Sequence, residues 1–354
     1  RQNVIFTPCL GGETAEDQMV GIARRGRTYT FDFSRFDRWC RLFLARGFTL
    51  VEGGYVAVRS EEGIVFWERA GGRARRVALA AGSPRFEGFL RQYFRALWAH
   101  LGRRGWRGRF VQHLSDEPGP DQLSRYRRLA GVVRAAAPGI RLIEALSHAE
   151  YAELVDIPVV VESSYQAFVA RAGRPADTWV YHCCGPGGPW PNFFLEYLPV
   201  RTRILGWLLF AKSIPGFLRW SYNYWMSGDA QAILYSQGAN LGKPRLSPWD
   251  DTTAHRWPGG DPMLVYPPRD AGMPGAIIGS IRWELVRESL EDYEYLRLTR
   301  RLAEQGDAEA RRILAVVERR AAPDWTTHTR DAGLLESLRV RMGRLLERAG
   351  RSGT

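Results

Sequence analysis

Apolar positions recur along this chain with two different periods. Short runs of strand character at residues 3–8, 48–51, 110–114, 140–145, 157–161, 179–183 and 216–220 alternate with stretches of three- to four-residue spacing. Residues 35–46 carry Phe36, Trp39, Cys40, Phe43 and Leu44 on one stripe and predict a helix with Ser34 as its cap and Gly47 as its stop. Residues 86–101 predict a second, with Phe89, Leu90, Tyr93, Phe94, Leu97 and Trp98 buried. Further helices are expected at 123–137, 162–172 and 193–214, and three more at 281–302, 308–321 and 334–348 close the chain. Residues 14–27 read as a loop, 55–82 as an irregular excursion with a short hairpin, and 226–275 as a long Pro-, Gly-, Trp- and Asp-rich loop. A loop of that length inside a compact domain usually serves function.

Strand then helix, repeated seven or eight times, predicts a (β/α)8 TIM-like barrel over residues 1–300 with a C-terminal helical extension over 301–354. A doubly wound open sheet is the alternative, but no glycine-rich dinucleotide fingerprint follows the first strand.

In a barrel, ligand-facing residues lie where strands end. Those ends are Glu52, Asp116 with Glu117, Glu144, Glu162, Tyr181 with His182, and the segment from Trp220 to Trp225, with Glu144 and Glu162 expected to be ion-paired or helix-starting rather than catalytic. The set is acidic and aromatic, which suits sugar recognition and acid/base cleavage of a glycosidic bond. It contains no Gly-x-Ser-x-Gly elbow, phosphate loop or His-Glu-x-x-His. Asp116 and Glu117 close an apolar strand that Pro118 stops; the same pair would also serve to open a loop and cap the next helix. Side chains adjacent in a regular strand face opposite ways, so a shared pocket requires the backbone to distort between Ser115 and Pro118. Strand alternation puts Trp220, Tyr222 and Tyr224 on one face with Asn223 opposite, and the same aromatics would equally fill a core. His113 reads as a satisfied barrel histidine, and no second histidine at ligand spacing points to a metal.

Composition adds little that changes this picture. The net charge is +12, but only Lys212 and Lys243 are lysines, the arginines are scattered, and no nucleic-acid motif accompanies them. An acidic glycan or anionic surface stays open as a partner. The 13 tryptophans serve either a large core or flat sugar platforms. The four cysteines are expected to be mostly buried and structural; Cys183 and Cys184 are adjacent, a spacing that rarely bridges. No apolar run reaches membrane-span length and no signal peptide is present. The chain starts at Arg1 without Met and with strand character already at residues 4–6, so a longer precursor is expected.

The segment His113-Leu-Ser-Asp116-Glu117-Pro118 resembles the catalytic Asp-Glu motif of glycoside hydrolase family 123. Downstream, Tyr181-His-Cys-Cys-Gly-Pro-Gly-Gly-Pro-Trp-Pro-Asn-Phe-Phe194, Gly216-Phe-Leu-Arg-Trp220-Ser-Tyr-Asn-Tyr-Trp225 and Gly260-Asp-Pro-Met-Leu-Val-Tyr-Pro267 resemble the associated domain of unknown function 4091. The resemblance implies a barrel hydrolase that removes β-linked N-acetylgalactosamine with retention, the substrate's own acetamide acting as nucleophile. By position, Glu117 would protonate the leaving oxygen and then activate water. Asp116 would orient the acetamide and stabilise the oxazolinium-like intermediate. Trp220, Tyr222, Asn223, Trp225 and Tyr181 would shape the sugar subsite, with Tyr165 and His113 as further candidates. It implies no metal or nucleotide cofactor, a glycan or glycoconjugate as partner, and a secreted or periplasmic setting. Many members also carry an N-terminal β-sandwich, and no segment here corresponds to it. A non-catalytic carbohydrate-binding barrel, a hydrolase of another and possibly acidic glycan, and a basic scaffold for anionic polymers are the rival readings.

Overall fold

The computed structural model of the chain describes residues 3–12, 15–57, 63–224, 249, 252–253, 257–266 and 277–352. In chain order, β1 (Val4–Thr7) is followed by a hairpin of β2 (Gly21–Arg25) and β3 (Thr28–Asp32), then α1 (Ser34–Leu44) and β4 (Leu50–Gly53). A second hairpin, β5 (Ile64–Ala70) and β6 (Arg73–Leu79), precedes α2 (Pro84–Arg104) and β7 (Phe110–Gln112). Then come α3 (Leu123–Ala136), β8 (Arg141–Leu146), β9 (Ile157–Val161), α4 (Tyr165–Ala172), β10 (Trp179–His182), α5 (Val200–Ala211) and β11 (Phe217–Arg219). A two-residue pair, β12 (Val265–Tyr266) and β13 (Ile278–Gly279), leads into α6 (Ile281–Glu304), α7 (Ala308–Val316) and α8 (Ala332–Ser352).

Seven strands pair in parallel in the order β1-β4-β7-β8-β9-β10-β11. Each new strand joins the edge its predecessor left, and helices α1 to α5 fill most of the crossovers. The predicted eight-stranded barrel needs correction here: the sheet curls into a half-barrel and stays open between β1 and β11. Among the described residues the chain does not return to β1. Instead, Asn223 bridges antiparallel to Met263, Tyr224 N–H donates to Pro262 O at 3.1 Å, and Leu264 N–H donates to Tyr222 O at 2.8 Å. The segment just beyond β11 is thus paired with a local loop.

Alternation along the strands sorts side chains between two faces. Phe110, Leu142, Leu146 and Val160 pack into the cluster that contains α2 and α3. Val111, Ile143, Ala145, Val159 and Tyr181 form a separate cluster on the other, concave face. Helix α2 buries the six predicted stripe residues, is capped by Ser83 (Phe86 N–H to Oγ, 3.2 Å), and ends at Gly105 in the left-handed region, φ 70°. Helix α5 is buried on nearly every side because the sheet lies on one flank and α6 to α8 on the other. Residues beyond 301 share that core through Ile313, Val317, Trp325, Leu335, Leu338 and Met342.

The segment predicted as loop at 14–27 contains β2. Only Ile22 of its five residues is fully buried, so it shows no readable period, and its placement depends on pairing with β3 and β5. The four-stranded sheet β3-β2-β5-β6 so formed is the excursion expected at 55–82, extended by one hairpin.

Candidate active site

The site grows from the end of β7. Gly53 on β4 lets it approach: a Cβ there would collide with the Gln112 amide and the Phe110 ring. The Gln112 side chain then donates to Gly54 O (2.7 Å) and His113 O (2.6 Å), and His113 N–H donates to Gly53 O at 3.0 Å. Leu114 O accepts from Val56 and Ala57 N–H at 3.2 and 2.9 Å. On the opposite side Glu144 Oε2 accepts Leu114 N–H at 3.1 Å and Ser115 N–H at 2.9 Å. Strand pairing has ended by then, and side chains have taken over the backbone.

The distortion expected between Ser115 and Pro118 lies at Glu117, whose φ is 42°. This left-handed value is rare for a residue with a side chain and costs about 1–3 kcal/mol. It breaks strand alternation, so Asp116 and Glu117 do not point to opposite faces. Tyr181 Oη, on the concave face of β10, hydrogen-bonds to Glu117 Oε1, and Tyr55 Oη meets Asp116 Oδ1 at a long 3.5 Å. Between β7 and β10 stand β8 and β9, so the Tyr181–Glu117 contact depends on the sheet's curl. Both carboxylates are half-buried. Burial, then the Glu117 charge, push the Tyr181 hydroxyl well above the ordinary phenol range, so it remains a donor.

Beneath the pair lies a buried ionic row. His113, 1% exposed, sits with Nδ1 2.9 Å from Glu144 Oε1 and Nε2 2.7 Å from Glu52 Oε1. The Glu52 carboxylate thus stands against the second ring nitrogen and adds its charge there. Burial disfavours the imidazolium, but the Glu52 and Glu144 charges together outweigh it and lift the His113 pKa to about 10. Glu144, fully buried, also accepts from Tyr126 Oη at 2.9 Å. Burial raises its carboxyl, against the pull of His113 and of these donors. Glu144 shares the face of Leu142 and Leu146, toward α3, which is why it meets Tyr126 rather than the cleft.

Glu162 and His182 form a second buried couple on the helix side, Nδ1 to Oε1 2.8 Å, packed by Phe193 and Phe217. Burial drives Glu162 up; burial and then Arg219 drive His182 down. The couple is therefore a carboxylic acid facing a neutral imidazole.

The remaining predicted residues divide. Trp220 stands in a cluster with Tyr224 and Trp257, ring centroids 5.3 and 5.2 Å away, and its Nε1 donates to Asp261 at 3.2 Å. Asp261 also accepts from Arg219 at 3.0 Å and fastens the 257–266 loop to the end of β11. Tyr222 stacks on Trp283 at 5.9 Å, away from Trp220 and Tyr224, so the expected one-faced alternation does not occur. Asn223 is exposed beside the Met263 bridge. Tyr165 is buried in the α5 core with Val180 and Phe193. Trp225 lies outside the described residues. Tyr55, Asp261 and Arg219 were not singled out by the sequence reading. Tyr55 follows the Gly53-Gly54 strand end, and that position is the signal that would have marked it. Cys9 and Cys40 are buried as expected, but Cys183 is only half-buried and Cys184 exposed, their sulfurs 3.7 Å apart.

The family model described as glycoside hydrolase 123, catalytic domain, matches residues 2–299. Among solved structures, a family 123 glycoside hydrolase from Clostridium perfringens, studied for glycolipid glycan hydrolysis, superposes with a TM-score of 0.66 at 17% identity. The alignment covers 97% of this chain and 60% of that one, so the chain spans about three-fifths of that protein's length. A family 2 glycosyl hydrolase from Bacteroides cellulosilyticus DSM 14838 aligns at a TM-score of 0.31 and 11% identity over 64% of this chain and 32% of that one, too low to argue from. No curated protein matches.

Proposed function

We propose a reaction for this chain, which belongs to glycoside hydrolase family 123: hydrolysis of a terminal or internal β-linked N-acetylgalactosamine, with retention, through the substrate's own acetamide. The observation that carries the reading is the turn at Glu117, φ 42°, which brings two consecutive carboxylates to one end of the concave sheet, Glu117 bonded to Tyr181 and Asp116 beside Tyr55. An acid that protonates the leaving oxygen and an anion that manages a neighbouring amide have to stand on the same side of one sugar.

In this reading Glu117 gives its proton to the glycosidic oxygen as the C1–O bond breaks. The acetamide oxygen closes on C1 from the opposite face. Asp116 accepts the amide N–H and balances the positive oxazolinium. Water then adds to C1 as the bond from C1 to the acetamide oxygen breaks, the acetamide is restored and Glu117 takes up a proton from the water; two inversions leave the configuration retained. Tyr181 holds the Glu117 carboxyl in place. Trp220, with Tyr222, Asn223 and Trp225 near it in sequence, supplies aromatic and amide contacts to the sugar. Residues 1–300 make the catalytic unit and 301–354 its helical extension.

The test is Glu117→Gln against wild type on an aryl β-N-acetylgalactosaminide and on glycolipid glycans. Turnover should fall by at least ~10³-fold with ligand binding kept. A thiazoline analogue of the sugar should inhibit strongly. Indifference to it would remove the acetamide mechanism, and a wild type that binds glycans without cleaving any would favour the lectin-like reading. The charge of +12 supports one variant, an acidic glycan substrate, whose turnover should weaken steeply with salt.

A further inference from the structure

We propose that Glu144, with His113 and Glu52 behind it, is a positioning residue: its buried carboxylate is the brace that fixes the Asp116–Glu117 turn. The inference rests on the functional reading above and adds a residue that touches no substrate.

The backbone leading into the turn lacks strand partners at two successive amides, Leu114 and Ser115, and both are buried. An unmet buried amide costs about 1–3 kcal/mol, so something must accept from each. One oxygen does so for both: Glu144 Oε2 takes Leu114 N–H, Ser115 N–H and, from α3, the Tyr126 hydroxyl. The other oxygen faces His113 Nδ1. A carboxylate accepting four donors is held rigidly, and its geometry is passed to the residues immediately before Asp116.

A lone carboxylate this deep would be very costly. The groups facing it offset the cost: His113 from the end of β7, with Glu52 of β4 on the far side of the ring, Tyr126 on α3, and the Tyr55 ring against His113 at 5.2 Å. Two carboxylates around one imidazole hold it in the protonated form, so one positive charge stands between two negative ones and the row keeps a net negative charge beneath the turn. The same brace also offsets the strain at Glu117, since a left-handed glutamate persists only where its neighbours leave no alternative.

Two changes separate charge from reach. Glu144→Asp keeps the charge but withdraws the oxygens by a methylene; kcat should fall ~100-fold with KM changed less than ~3-fold, the signature of misplaced catalytic groups rather than lost binding. Glu144→Gln keeps an acceptor oxygen and loses the charge; kcat should fall ~10-fold, and the His113 imidazole should titrate at lower pH by NMR. Tyr126→Phe, a milder change in case either variant fails to fold, should lower kcat ~3-fold. In all three, amide hydrogen exchange at Leu114 and Ser115 should accelerate relative to distant amides of β8. Faster exchange with unchanged kcat, or a loss confined to KM, overturns the proposal. So does an unmoved His113 titration in Glu144→Gln. If the wild type cleaves no substrate, the functional reading fails by itself, and the exchange and titration results still decide whether the brace exists.

Discussion

Glu117 combines a backbone strain with the chemical task proposed for it, and the two are separable by substitution. At φ 42° a glycine is at ease and a glutamate is not. Glu117→Gly should therefore abolish turnover yet leave the protein as stable as wild type or up to about 1 kcal/mol more stable, since relief of strain works against the greater unfolded-state freedom of glycine. Urea midpoints check this; a loss above about 1 kcal/mol would show that the carboxylate's contacts outweigh the strain. Tyr181→Phe removes only the hydroxyl that holds Glu117, and kcat should drop ~10-fold with little change in KM. The backbone turn at the pair was legible in the sequence, because two adjacent acids cannot share one side of a regular strand. The pair's partners were not. Tyr181 was in view as a strand end, but that it reaches Glu117 depends on curl across two intervening strands, and Tyr55 depends on how a glycine pair turns. Glu144 and Glu162 were expected to be ion-paired or helix-starting residues rather than catalytic ones, and alternation does turn both to the helix side, where histidines meet them.

At the scale of elements, glycine-to-alanine changes in two helices should have opposite signs. Gly206 lies in α5 where α6 crosses. Its N–H donates to Ser289 Oγ at 2.7 Å, and an added Cβ would run into the Ser289 carbonyl, which is backbone and cannot yield. Asp292, one turn along and fully buried, takes Arg203 Nε at 2.7 Å and Trp207 Nε1 at 2.8 Å, along with Arg339 from α8. Gly206→Ala should thus cost about 1–3 kcal/mol by forcing apart helices that are pinned on either side. Gly131, exposed in the middle of α3 with open space at its Cβ position, should instead stabilise by about 0.5–1 kcal/mol when made alanine. Equilibrium unfolding of both variants decides, and equal signs would defeat the packing argument. The stripes of α1 and α2 and the β/α rhythm were legible because each is local. Closure was not: whether the last strand meets the first depends on what the chain does after Arg219, and there a loop with no period pairs with Tyr222 and Asn223 instead.

For the whole molecule, the buried titrating groups set a stability optimum that net charge alone would not predict. His113 has a folded pKa raised to about 10 from an ordinary 6.5, so its contribution is complete below 6.5 and is lost as pH climbs through about 10. The Glu162–His182 couple holds one proton when folded. Unfolded, it holds two below the glutamate's ordinary value of 4.5 and none above 6.5, so it stabilises most between these limits. Cys9, held up to about 12 by burial, adds a further loss above its ordinary 9.0. On the acid side His328, pushed down to about 4 by burial and by Arg330, resists protonation and loses stability as pH falls from 6.5 toward 4. Cys184, lowered to about 7 by its neighbour Cys183, pulls the other way between 7 and 9, but it is exposed and its effect is screened. His113, the Glu162–His182 couple and His328 agree on a maximum near pH 6.5, against a loss from the raised Glu144 carboxyl that begins above its ordinary 4.5. Urea unfolding from pH 4 to 10 should show the midpoint highest there, falling on the alkaline side more steeply in wild type than in Glu144→Gln, where one of the two carboxylates that hold the His113 proton is gone. A midpoint still rising at pH 8, or an alkaline slope identical in the two proteins, would mean that the row beneath the Asp116–Glu117 turn does not carry its charge as described.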